Sequence, residues 1–63
     1  VKFEFSDVTE KQMTNAVAEV RMYLRQGMRA AYAGDFTAAY GFFESAQLSA
    51  FDLKDLFAPE VTP

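Results

Sequence analysis

Sixty-three residues bound this chain to one domain. A net charge of −3, with 51% hydrophobic and 16% aromatic residues, excludes a disordered tail and argues against a basic nucleic-acid arm. There is no cysteine and no histidine. That removes disulfide staples, thiol chemistry and imidazole acid–base catalysis, and leaves a structural zinc site without its usual ligands. A chain this short lies near the lower limit for folding alone, so association is a natural further source of stability.

No apolar run approaches the ~18 residues of a membrane span. The opening Val1-Lys2-Phe3-Glu4-Phe5 lacks a secretory pattern. The expected compartment is therefore the cytoplasm, with no membrane partner. Residues 1–7 alternate: Val1, Phe3 and Phe5 point one way, Lys2, Glu4 and Ser6 the other. That period predicts a half-buried strand or extended arm. With no second strand to pair with, it either joins another chain or lies on the helices, and Phe3 and Phe5 become candidate contacts.

Thr9-Glu10-Lys11-Gln12 reads as a capping box, with Val8 and Met13 as its hydrophobic staple. It predicts a helix over 9–33. Met13, Val17, Val20, Leu24, Gly27, Met28 and Ala31 form its apolar face, widened by Tyr23 and Ala30. Gly34 supplies a left-handed stop, and Asp35 caps a second helix over 35–50. The second apolar stripe is Phe36, Ala39, Tyr40, Phe43, Ala46 and Ala50. So short a connection dictates antiparallel packing. Asp52 is positioned to cap a short third helix over 52–58, with Leu53, Leu56 and Phe57 on one side. Pro59 ends it, and 59–63 is a tail. The expected fold is mostly α: an antiparallel helical hairpin with an N-terminal strand or arm and a short C-terminal helix.

Tyr23, Gly27, Gly34-Asp35-Phe36, Ala39, Phe43 and Ala46 stand at the spacing of small and large residues in one tetratricopeptide repeat. Residues 23–46 resemble that family. The resemblance implies a helix pair that binds protein, with neither catalysis nor cofactor. A single such repeat cannot bury its own face, since arrays need about three. Self-association, the third helix or a partner then has to cover it.

Arg21, Arg25 and Arg29 make one basic stripe at four-residue steps. It serves either as a clamp for a partner's carboxylate or phosphate, or as a solvated face paired with Glu44, Asp52 and Asp55. The segment around Leu53, Leu56 and Phe57 is either a helix offered to a partner groove or a lid on the hairpin. Phe42, off the main stripe, is either core or an oligomer contact. Glu19 and Glu44 have no spacing that selects them for acid–base work, and no phosphate loop, nucleophile motif or metal cluster is present.

The expected function is a non-enzymatic protein–protein interaction module, self-associating as a homodimer, with no cofactor or metal. Its candidate contacts are Arg21, Arg25, Arg29, Phe3, Phe5, Phe42, Leu53, Leu56 and Phe57. The alternative is a ribbon-helix-helix DNA-binding regulator, whose outline is also one strand and two helices. Glu4 on the ribbon and the acidic net charge count against nucleic acid as a partner.

Overall fold

The computed structural model describes residues 7–60, with Glu60 described in its backbone alone. The strand expected over 1–7, with Phe3 and Phe5, lies outside the described residues except for Asp7, which opens a helix. Two antiparallel helices pack along their length: α1 (Asp7–Tyr32, 26 residues) and α2 (Phe36–Asp55, 20 residues). A 3-10 turn, Ala58–Glu60, follows. Neither helix is long and apolar enough to cross a membrane.

Two boundaries differ from the sequence expectation. α1 starts at Asp7, so Thr9 is its third residue and not its N-cap. Asp7 and Glu10 both fall in the first turn, where carboxylates are favoured by the helix dipole, and no Gly or Pro intervenes to delay the start. At the other end, α2 continues through Phe51 and Asp52 to Asp55. The third helix expected over 52–58 is thus mostly the last turn of α2, and only Ala58–Glu60 is a separate piece. The first residue able to stop a helix after Gly41 is Pro59, so a capping signal at Asp52 has no break to cap.

The reversal is a Schellman motif. The Asp35 N–H donates to the Ala30 carbonyl at 2.9 Å, and the Gly34 N–H to the Ala31 carbonyl at 3.0 Å. Gly34 takes φ +81°, which a side chain disfavours. Asp35 also caps α2: its Oδ1 accepts from the Ala38 N–H at 3.1 Å. One residue therefore closes α1 and opens α2, which is why three residues suffice for the turn.

The seam between the helices follows a strict three–four repeat. On α1 it is Thr9, Met13, Ala16, Val20, Tyr23, Gly27 and Ala30, half-buried except for Gly27, which is buried. On α2 it is Ala39, Phe42, Ala46 and Ser49, continuing to Leu53 and, just past the helix, Leu56. This is the spacing of left-handed helix pairs. Small residues hold its centre: Ala39 and Ala46 are only 5% and 4% exposed, and no large side chain is fully buried. At Gly27 the ring of Phe43 lies so close that an added Cβ would stand 2.6 Å from its Cε1.

The apolar faces expected from sequence are corrected here. Leu24 and Met28 on α1, and Phe36, Tyr40, Phe43 and Ala50 on α2, are exposed. Phe42, set aside from the expected stripe, is half-buried in the seam. α1 also runs unbroken through Gly27, where a ribbon-helix-helix outline needs its first helix to end.

Two outcomes follow for stability, both read from urea unfolding. Gly34→Ala, with open space around the new methyl, loses about 1 kcal/mol from the positive φ alone. Asp35→Ala loses a similar ~1 kcal/mol through the cap. Gly27→Ala changes sign with its neighbour. Against Phe43 it destabilises by roughly 1–2 kcal/mol through overpacking. In a Phe43→Ala background it stabilises by up to about 1 kcal/mol, because alanine is the better helix former.

Candidate protein-binding face

Each helix carries a second three–four repeat beside the first. On α1 it is Asp7, Glu10, Thr14, Val17, Arg21, Leu24 and Met28, all exposed except half-buried Val17. On α2 it is Phe36, Tyr40, Phe43, Gln47, Ala50 and Lys54, all exposed. At 100° per residue, each is turned roughly 110° from its helix's inner seam, in the same winding sense. Because the helices run antiparallel, that rotation brings both repeats to the same side of the hairpin. The side is apolar at the loop end: Phe36 is 72% exposed, Tyr40 71% and Met28 52%.

The arginine stripe borders this face. Arg21, Arg25 and Arg29 line a shallow groove together with Leu24, Met28 and Tyr32. Their aliphatic stems extend the apolar surface while the guanidinium groups stay in water. Among the described residues none of the three is held in an ion pair, so the pairing with Glu44, Asp52 and Asp55 weighed from sequence is not formed. On α2 the Lys54 ammonium lies 5.4 Å from the centroid of the Phe51 ring, one turn earlier.

The other sequence-stated contacts divide differently. Phe42, Leu53 and Leu56 belong to the inner seam, and Phe57 is half-buried beside it. None of these four stands with the arginines on an open face. In their place stand Leu24, Met28, Phe36 and Tyr40, read from sequence as the apolar faces of the helix pair, together with Tyr32 at the end of α1. The signal that separates the two groups is the three–four spacing around small residues. Reading for the largest apolar residues hides it.

Among the described residues no three carboxylates cluster as a metal site. No buried side-chain polar atom there lacks a hydrogen-bond partner. Comparisons with protein-family models, curated proteins and solved structures found no match to this chain.

The unpaired arginines give a direct check. Arg21→Gln with Arg25→Gln leaves unfolding of the dilute chain unchanged within about 0.5 kcal/mol, because no intramolecular pair is lost. A larger loss on urea titration shows that the stripe supports the hairpin itself.

Proposed function

We propose that this chain is a non-catalytic protein–protein interaction module that acts by self-association through the outward face of its hairpin. One observation carries the reading: a second regularly spaced seam, running the length of both helices, is open to water. Its loop end is apolar, and monomeric proteins rarely leave a large apolar patch uncovered. A face two helices wide and about 30–39 Å long offers on the order of 600–800 Å² per copy. That is the size class of a stable interface. Aromatic residues, Met and Arg, the types enriched at such contacts, are those exposed here.

The tetratricopeptide-like spacing of residues 23–46 supports the same role. In this hairpin its small residues, Gly27, Ala39 and Ala46, lie on the inner seam. The cytoplasm is the compartment proposed, on the cysteine-free composition.

Sedimentation over a wide concentration range tests the reading. The expected result is a mass that rises with concentration. Met28→Glu with Tyr40→Glu shifts the chain to monomer while its helical circular dichroism persists, because both positions face solvent in the single hairpin. A wild-type chain that stays monomeric at every concentration sinks the proposal.

A further inference from the structure

The apolar residues of each helix do not centre on the contact between the two helices. On α1 an unbroken apolar line runs through Met13, Val17, Val20, Leu24, Gly27 and Ala31. On α2 the line is Phe36, Ala39, Phe43, Ala46, Ala50 and Leu53. Half of each line belongs to the inner seam, and the other half borders that seam on its outward side. The remaining half of the seam includes the polar Thr9 and Ser49. At 100° per residue, each apolar line is turned roughly 50° from the contact, toward the same side of the hairpin.

An apolar line that points between two neighbours marks a helix of a four-helix bundle, where all four lines meet on a common axis. The hairpin supplies two of the four. Resting on the self-association reading above, we infer that a second copy supplies the other two, with its loop at the same end of the bundle. The two-fold axis runs along the helices. Each α1 packs between its own α2 and the α2 of the other copy, antiparallel to both.

Rotation about such an axis leaves height along the bundle unchanged, so levels across the copies are those within the hairpin. Phe43 against Gly27 fixes them. Met28 then meets Tyr40 and Phe43 of the other copy, Ala31 meets Phe36 and Tyr40, and Leu24 meets Phe43, each within one turn. The exposed rings near the loop are thereby covered by apolar residues.

Charge agrees with this register. Arg25 is two residues before Gly27 and Glu44 one after Phe43, so they stand within about 1.5 Å of the same height. Both are exposed, on the outer flanks of the hairpin, roughly 70° beyond the outward repeat. Within one copy those flanks face apart. Across two copies they border the same seam, at the positions that carry ion pairs in coiled coils, and the pair forms twice by symmetry. At the open end, Asp7 and Glu10 on the outward repeat are balanced by Lys54 on that repeat and Lys11 at its rim. Glu19, Asp52 and Asp55 turn to the opposite side, where Glu19 and Asp52 line a groove with Gln12 and Asn15. The rival bundle has its two-fold across the helices at mid-length. It sets Arg21 beside Arg21 of the other copy, where like charges repel, and carries Phe36 and Tyr40 to the other copy's open end.

Three variants test the register by sedimentation at low salt. Arg25→Glu sets like charges together twice and is expected to weaken self-association roughly tenfold, and Glu44→Arg does the same. The chain with both substitutions restores the pairs in reverse at the wild-type net charge of −3, and is expected to return to within about threefold of wild type. Arg and Glu are both good helix formers, so the helices persist. Single variants as tight as wild type, or a double variant no tighter than the singles, overturn the register while self-association stands. Monomeric wild type instead removes the reading beneath it.

Introduced thiols give a second reading, since the chain has no cysteine of its own. A mixture of Met28→Cys and Tyr40→Cys chains is expected to oxidise to a linked heterodimer, and neither chain to link with itself. In this bundle Met28 faces α2 of the other copy and Tyr40 faces α1, so only the mixed pair comes within disulfide reach. A mixture that fails to link, or a Met28→Cys chain that links with itself, overturns the register.

Discussion

The whole hairpin depends on a seam whose middle is made of residues with almost no side chain. Gly27 lets the Phe43 ring rest where a Cβ would intrude, and Ala39 and Ala46 let the two backbones approach. Close approach brings many weak dispersion contacts. It also buries little apolar area per residue, since a methyl group contributes only about 0.8 kcal/mol. The bulky rings therefore find no room inside. Phe36 and Tyr40, and part of Phe43, are displaced outward by the same choice of small residues that lets the helices meet.

That displacement explains which parts of the structure were legible in the sequence. The reversal was, because Gly34 and Asp35 have local chemistry that needs no tertiary context: a positive φ and a side-chain acceptor at a helix start. The two helices and their antiparallel order followed from it. The choice of inner face followed only in part: Gly27, Ala39 and Ala46 fall on the expected faces, but a stripe drawn through the large residues also puts Leu24 and Tyr40 inside. In a tight helix pair the small residues take the crossing. The extent of α2 was misread for a different reason. Asp52 is a good cap residue, but a cap matters only where the preceding helix stops, and nothing between Phe51 and Leu56 stops it.

The candidate face was legible only in its charged border. Arg21, Arg25 and Arg29 are exposed, as a charged stripe at four-residue steps should be. Leu53, Leu56 and Phe57 stood out as an acid-rich apolar segment, yet Leu53 and Leu56 continue the spacing of the inner seam and Phe57 lies half-buried beside it. Phe42 and Phe43 are neighbours in sequence with a similar prior. Their different surroundings come from 100° of rotation, which takes Phe42 into the seam and leaves Phe43 at its edge.

The division of small and large residues between the two seams also has an energetic logic. The inner seam joins segments tethered by a three-residue turn, so closing it costs chain entropy that is already small, and weak contacts suffice. A contact between separate chains must also offset lost translation and rotation, a cost of at least about 4 kcal/mol at standard concentration. Larger rings and thioethers are the side chains that supply such a surplus per residue. On that basis a tethered seam can be built from glycine and alanine, and under the proposed self-association the outward seam cannot. The distribution of Gly27, Ala39 and Ala46 on one side, with Met28, Phe36 and Tyr40 on the other, is the one the proposed self-association calls for.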